Sequence, residues 1–363
     1  MSPLESIICA EIRECGPITF ARFMEQALYH PQWGYYTKEN GMHRIGGGGD
    51  FFTSVSVGNL LGKLIAQQFA EWWCLMEKPK PFHLVECGGF DAQLAYDILE
   101  ALHRDSPRCT QALQYVLVEP SQRLAQYQQN RLSEFSCVHW VRSFCELDPL
   151  EGIVFGNELL DAFPVHLLES YHGAWREWGV DMKENRLTWT SQAVASAGSS
   201  ETVSTTGSCP WGSTFQLPKR YEGKVEVCLQ AITWLEDACK VLRCGRILLL
   251  DYGWTDKEYF QVGRPYGTVR GYYQHRLVEN VLVNPGEQDL TAHVRWTPIL
   301  DTAIRLGLHL EEFIQQGRWF TRIMTHHQLQ LNPKEIRQFH FLTHPGIMGN
   351  VFRVLVLKKG KQV

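Results

Sequence analysis

Between residues 82 and 157, four short apolar runs alternate with longer stretches of helical character. The runs are Phe82 to Cys87, Tyr115 to Glu119, Cys137 to Val141 and Gly152 to Gly156. Each has the length of a strand and is mostly apolar, as buried strands are. Asp91 to His103 carries apolar residues at 92, 94, 95, 98, 99 and 102, which is a helical period. Pro120-Ser121 opens a second helix. Strand–helix–strand repetition with such spacing predicts a mostly parallel sheet with helices on both faces, an α/β, Rossmann-like fold. Arg246 to Asp251 is a fifth core strand, and Val351 to Leu357 a last one.

Outside that core the pattern changes. Val165 to Leu187 alternates apolar and polar residues, as antiparallel strands do. Ser191 to Ser213 is rich in Ser, Thr, Gly and Ala and reads as a mobile loop. Tyr221 to Leu242 reads as a helix. Tyr252 to Trp296 is an aromatic, glycine-containing insertion without a clear period. A helix near Pro298 to Leu306 and a strand near Leu308 to Ile314 precede the final strand. The organisation expected is an N-terminal helical extension over 1–80, a core of 81–165, 221–251 and 297–363, and insertions at 166–220 and 252–296.

Composition narrows the function classes. Lys+Arg number 35 and Asp+Glu 39, a formal net charge of −4, which argues against broad electrostatic binding to nucleic acid. No run of 18 apolar residues offers a membrane span. Met1 to Cys15 mixes Glu5, Glu11 and Glu14 with Arg13, unlike a secretory or transit leader. Eleven cysteines without a Cys-x-x-Cys predict neither a disulfide framework nor a zinc ribbon. A reducing compartment follows. The cytoplasm is the expected location, with the mitochondrial matrix as the eukaryotic alternative.

In an open parallel sheet, ligands bind beyond the carboxyl ends of the strands. After the first strand comes Glu86-Cys-Gly-Gly-Phe-Asp-Ala92, where Gly88 and Gly89 let backbone approach a ligand. After the second comes Glu119, a carboxylate placed to accept both hydroxyls of a ribose. After the fourth comes Asn157-Glu-Leu-Leu-Asp161. The Gly-x-Gly-x-x-Gly of a dinucleotide site is missing, which weakens a nicotinamide oxidoreductase reading. A nucleoside ligand without phosphates remains, and S-adenosylmethionine fits that description.

Seven ordered stretches carry a resemblance. They are Ile18 to Tyr36, Gly49-Asp-Phe-Phe-Thr53, Val118-Glu-Pro-Ser121, Gly156-Asn-Glu-Leu-Leu-Asp-Ala-Phe-Pro-Val165, Asp251-Tyr-Gly253, Gly267-Thr-Val-Arg-Gly-Tyr272 and Pro285 to Val294. Over nearly its whole length the chain resembles the MidA family of class I methyltransferase-like proteins, related to the arginine methyltransferase of mitochondrial complex I assembly. The resemblance implies a class I methyltransferase fold with an antiparallel last strand, a cofactor lid in the N-terminal extension, and S-adenosylmethionine as cofactor. It implies cofactor contacts from Gly49, Phe51, Thr53, Glu86, Gly88, Gly89, Glu119, Ser143, Phe144 and Asn157. It implies a substrate protein, with a respiratory complex subunit as the analogue.

Three departures from the family pattern stand out. The family's turn is Gly-x-Gly-x-Gly, where this chain has Gly88, Phe90 and Ala92. Val55-Ser56 replaces Pro-Glu, and Lys63 replaces an acid. Phe90 would be strained at a positive φ unless Gly88-Gly89 supply the close approach and its ring turns onto adenine or a neighbouring wall.

Arginine as acceptor needs acids, because a guanidinium stays charged at neutral pH. Glu158 and Asp161, three apart, would face one side of a helical turn and clamp it in a fork. Asn157 is a candidate for the donor amine or the acceptor, and His293 for catalysis, with Asp289, Arg270 and His275 closing the same wall. Plainer readings stand beside these. Glu158 and Asp161 would also suit the first turn of a following helix, Glu119 a surface turn, His293 a structural role, Gly46 to Gly49 a hinge, and Trp72-Trp73 with Trp175 and Trp178 simple packing. Two functions result: a protein methyltransferase, or a methyltransferase-like assembly factor with an impaired cofactor site.

Overall fold

The computed structural model describes residues 1–38, 54–171, 174–193, 215, 217–218, 221–274 and 276–360. Gly46 to Gly49, Phe51, Thr53, His275 and most of the 191–213 stretch lie outside these. The chain begins with helix α1 (Pro3–Cys15), strand β1 (Ile18–Thr19), helix α2 (Phe20–Tyr29) and helix α3 (Leu60–Leu75). Ser2 and Glu5 form a capping box on α1, and Thr19 caps α2, so each helix starts where a side chain satisfies its first free N–H groups.

The core then alternates: β2 (Phe82–Cys87), α4 (Gln93–Asp105), α5 (Pro107–Thr110), β3 (Leu113–Val118), α6 (Gln122–Arg131), β4 (Val138–Val141) and β5 (Leu150–Asn157). Ser121 caps α6 through its hydroxyl, and Pro120 lies just outside. A hairpin region follows, β6 (His166–Tyr171), β7 (Ala174–Lys183), β8 (Arg186–Ala193) and β9 (Gly223–Val227). Then come α7 (Leu229–Val241), β10 (Leu242–Trp254), α8 (Asp256–Val262), β11 (Arg270–Tyr273), β12 (Arg276–Val278), β13 (Asp289–Thr291), β14 (Val294–Arg295), α9 (Trp296–Arg305), β15 (His309–Gln315), α10 (Gln316–His326), α11 (Pro333–Thr343) and β16 (Phe352–Lys359).

The main sheet runs β15-β16-β10-β5-β2-β3-β4. Strands β4, β3, β2, β5 and β10 are parallel neighbours, and β16 is antiparallel to both β10 and β15. The mostly parallel sheet with an antiparallel last strand is as the sequence led us to expect. The strand order reverses between β2 and β5, which opens a crevice beyond their carboxyl ends.

Two apolar layers enclose this sheet. One joins α3, α4 and α10 to it through Phe69, Leu84, Tyr115, Phe155 and Trp319. The other joins α7 and α9 through Val154, Leu235, Leu249, Trp296 and Leu355. A third cluster packs α1 and α2 on the second sheet, β1-β7-β6-β9 with β8 beside β7. Helix α3 thus shares the core of the main sheet although it precedes residue 80.

The expected helix from Tyr221 divides into β9 and α7. The insertion 252–296 holds α8 and the three-stranded sheet β12-β11-β13. Helices α10 and α11 had no counterpart in the sequence reading. The ten cysteines among the described residues are free. No helix among them is long and apolar enough to cross a membrane.

Candidate functional site

A cleft of about 1310 Å³ opens at the strand-order reversal. It exceeds the roughly 300–1,000 Å³ of an ordinary small-molecule site. Its walls include Glu86, Gly88, Gly89, Phe90, Glu119, Ser143, Phe144, Asn157, Glu158 and Asp161. The described residues of the expected cofactor site therefore converge, as does the acidic pair after β5.

The turn after β2 is tight. Gly88 has φ +75°, and a Cβ there would meet Leu159 Cδ1 at 2.8 Å. A Cβ on Gly89 would meet Leu117 Cδ2 at 2.6 Å. The position of Gly88 therefore favours glycine, and a side chain at Gly89 would displace the end of Leu117. Phe90 (φ 35°) and Ala92 (φ 59°) also occupy the left-handed region, which costs of order 1 kcal/mol each. The Phe90 ring turns onto Tyr36, edge to face at 5.9 Å, so the neighbouring wall takes it. Ala92 N–H donates to Gly89 O and closes the turn.

Glu119 is a buried acid rather than a surface one. Its Oε1 accepts the Ser121 N–H at 2.8 Å and its Oε2 accepts Gln128 Nε2 at 3.2 Å. Burial pushes its pKa up to about 7. Gln128 is fully buried and unmentioned in the sequence reading. Its amide also donates to Phe90 O at 2.9 Å and accepts Trp140 Nε1–H at 3.0 Å. One side chain thus ties the turn after β2 to the acid after β3. Its place on the inner face of α6 was the only signal. Glu86 accepts the Tyr115 hydroxyl at 2.6 Å, and burial pushes it up to about 7.

No helix follows β5; residues 158–165 run as bends and a turn into β6. That removes the helix-capping reading of Glu158 and Asp161, and with it the helical turn invoked to align them. Another device aligns them. Glu158 sits at φ 49°, and its Oε1 accepts the Ser54 N–H at 2.7 Å and the Ser54 hydroxyl. Asn157 Nδ2 reaches Ser54 Oγ at 3.1 Å. Desolvation pushes Glu158 up to about 7, with the Asp161 charge adding to it.

Asp161 Oδ2 accepts the Tyr252 hydroxyl at 2.7 Å, while its buried Oδ1 has no hydrogen-bond partner. Burial raises its pKa too. The loop hangs on Asp251. One oxygen of that carboxylate accepts the N–H groups of Leu159 (3.1 Å), Leu160 (2.8 Å) and Asp161 (3.3 Å). Burial and the nearby Asp161 charge raise the Asp251 pKa well above the carboxylate range. The Asp251-Tyr-Gly253 stretch was visible in the sequence, but not the role of its acid.

His293 lies away from the cleft walls. Its ring stacks on Trp254 at 4.1 Å and meets the Tyr252 ring edge at 4.8 Å, beside a small cavity of about 20 Å³. Burial pushes its pKa down to about 3, so it is neutral. Asp289 accepts the Tyr36 hydroxyl at 2.7 Å and supports the wall from behind. Arg270 is exposed on β11 and bonds Val269 O. Of the departures, Val55 and Ser56 line the cleft. Lys63 instead pairs with Glu335 of α11. Trp72, Trp73 and Trp175 are core residues.

The site suits a nucleoside-bearing cofactor on its own geometry. Glu119 has one donor on each oxygen and further lone pairs for a diol, and Gly88 and Gly89 line the same cleft.

Comparison with known proteins bears on the same point. A sequence model of the family described as "Putative S-adenosyl-L-methionine-dependent methyltransferase" matches residues 64–314. Among curated relatives, the mitochondrial "Protein arginine methyltransferase NDUFAF7 homolog" of Drosophila melanogaster is 29% identical, over 97% of this chain and 84% of its own. The mitochondrial NDUFAF7 protein of Mus musculus is 28% identical, over 81% and 68%. Among solved structures, a likely methyl transferase from Burkholderia thailandensis bound to S-adenosyl-homocysteine superposes with a TM-score of 0.82. It is 26% identical and covers 99% of this chain and 92% of that one.

These relatives correct the expected cytoplasmic location, since the curated ones are mitochondrial proteins. Met1 to Cys15 mostly form α1, which packs through Leu4, Ile8 and Ile12. Their composition reflects that packing. With the match spanning most of the sequence and the cleft built as described, the chain belongs to this family of S-adenosylmethionine-dependent methyltransferases.

Proposed function

We propose that this protein methylates an arginine side chain of a partner protein, as its relatives' names indicate for them, with a respiratory complex subunit as the substrate that the sequence resemblance implies. The observation that carries the reading is the acidic pair at the cleft. Glu158 is held by Ser54, and Asp161 is held by Tyr252 with one buried oxygen unpartnered.

S-adenosylmethionine supplies an electrophilic methyl group on a sulfonium. Glu119 orients the ribose, and the backbone of Gly88 and Gly89 gives the close approach. The rest is the work of the acids. A guanidinium presents several N–H donors in a plane, which suits two carboxylates better than one. The Asp161 Oδ1 and the free oxygen of Glu158 take two of them. The attacking nitrogen must lose a proton as its bond to the methyl carbon forms. Glu158, with its pKa near 7, accepts that proton more readily than an ordinary surface carboxylate. The products are the neutral thioether, a methylguanidinium and one released proton.

Strain at Phe90 and Ala92 favours a second reading, in which the fold serves assembly without turnover. One assay separates the two. Protein is incubated with isotope-labelled methyl donor and mitochondrial extract, then hydrolysed to amino acids. Labelled methylarginine that disappears with the Glu158→Gln variant supports the proposal. Absence of labelled methylarginine, with cofactor binding intact, overturns it.

A further inference from the structure

Outside the cleft lining, Glu71 of α3 meets the end of α10. His326 Nε2 lies 3.6 Å from Glu71 Oε1, and His327 Nε2 lies 3.3 Å from Glu71 Oε2. The ligand atoms of all three lie within 4.8 Å of one another. His327 Nε2 is buried and makes no hydrogen bond. Each carboxylate oxygen thus faces its own imidazole at a distance beyond a good N–H···O bond.

Those distances suit a different arrangement. Metal–nitrogen and metal–oxygen bonds of about 2.0–2.2 Å set the edge of a coordination tetrahedron at about 3.3–3.5 Å. With one donor atom from each residue, the three lie within 4.8 Å of one another, so a small side-chain rotation brings them onto that edge. Gln68 Nε2 donates to Glu71 Oε2 at 3.0 Å, the kind of outer contact that orients a ligating carboxylate. His326 is mostly exposed, which leaves a path for an ion to enter and a fourth position open to water.

We propose that Glu71, His326 and His327 form a site for a transition-metal dication, Zn²⁺ foremost. Two imidazoles and one carboxylate are a donor set that borderline ions favour over Mg²⁺ or Ca²⁺. The ion staples the C-terminal part of α3 to the end of α10. At its other end α3 begins beside the cleft residues Val55, Ser56, Gly58 and Asn59. Lys63, on the same helix, pairs with Glu335 of α11. With the ion bound, α3 is held at both ends, by the metal at Glu71 and by the Lys63–Glu335 pair near its start. The proposal is independent of the methyl-transfer reading.

The test uses the full chain stripped with chelator and titrated with Co²⁺. The expected result is saturable 1:1 binding with visible d–d bands and no thiolate charge-transfer band. The His327→Ala variant weakens binding by more than about tenfold, the least that loss of even an outer-shell partner gives. Cys74→Ser, on the same helix, leaves it unchanged. Zn²⁺ displaces Co²⁺ and raises the Tm of the wild-type chain but not of His327→Ala. If that variant fails to fold, His326→Ala, altered at an exposed side chain, gives the same comparison. No saturable binding, a dominant thiolate band, or equal affinity in the wild-type and histidine variants would overturn the proposal.

Discussion

Three glutamates face one cleft in surroundings that disfavour their charge. Glu86, Glu119 and Glu158 each stand near a pKa of about 7, in every case chiefly through desolvation. For Glu119 this yields a pH-dependent prediction. A carboxylate accepts both ribose hydroxyls only when ionised, and below about pH 7 the free protein holds a proton there. Cofactor affinity should therefore fall as pH drops below about 7, approaching tenfold per unit for a single proton. Calorimetry between about pH 5.5 and 8 reads the slope. In Glu119→Gln the slope from this group should vanish while mean affinity drops.

Glu158 and Asp161 predict a different pattern. Glu158→Gln and Asp161→Asn should lower kcat by roughly 10²–10⁴-fold, the range for a positioned acid or base. Cofactor affinity should change little. Loss of cofactor binding in step with activity would assign them a structural role instead.

At the scale of elements, the loop after β5 hangs on a single carboxylate. Asp251→Ala leaves the N–H groups of Leu159, Leu160 and Asp161 without their acceptor. At about 1–3 kcal/mol for each buried donor left unsatisfied, the variant should lose at least about 3 kcal/mol in denaturant unfolding. The turn after β2 is equally constrained. Gly88→Ala places a Cβ 2.8 Å from Leu159 Cδ1 at a φ of +75°, so it should cost about 1–2 kcal/mol and weaken cofactor binding.

These elements also show what could be read in advance. Strands β2 to β5 and β10 were legible because their runs are mostly apolar, as strands of a covered parallel sheet are, and glycines or acids mark most of their ends. Gly88, Glu119, Asn157, Glu158 and Asp161 could be placed because such sheets bind ligands at those ends. Helices α10 and α11 were not legible. Helix α10 follows β15 with no intervening residue, and α11, although Asn332-Pro333 and Glu335 mark its start, buries only Glu335, Gln338 and Leu342. β9 was hidden because Gly223 to Val227 adjoins α7 with one intervening residue, Cys228. Ser54, Gln128 and Tyr252 were missed because their roles depend on partners distant in the chain. Nothing in the local sequence of α6 shows that Gln128 reaches both Phe90 and Glu119.

Over the whole molecule, the buried acids set a pH dependence of stability. Three carboxylates near 7 in the folded state, against the usual 4.5, mean that folding takes up protons between those values. Their contribution is present at low pH and is lost as pH rises through about 7. His293, held neutral with a pKa of about 3, and His83, also lowered by burial, oppose this below the ordinary imidazole value, while the raised Asp161 and Asp251 add to it. Urea unfolding of the ligand-free protein should show greater stability near pH 5 than at pH 7. Glu158→Gln should reduce that difference.

The architecture then makes one demand of the altered turn. The sheet order, the acid after β3 and the acidic loop after β5 all serve a cofactor in the crevice. Phe90 satisfies that arrangement only if its ring stays on Tyr36 and leaves the backbone of Gly88 and Gly89 open. Calorimetric titration of the purified chain with S-adenosylhomocysteine tests this directly. The structure predicts one site with micromolar affinity, about −8 kcal/mol. No binding heat and no thermal shift up to millimolar ligand would contradict it.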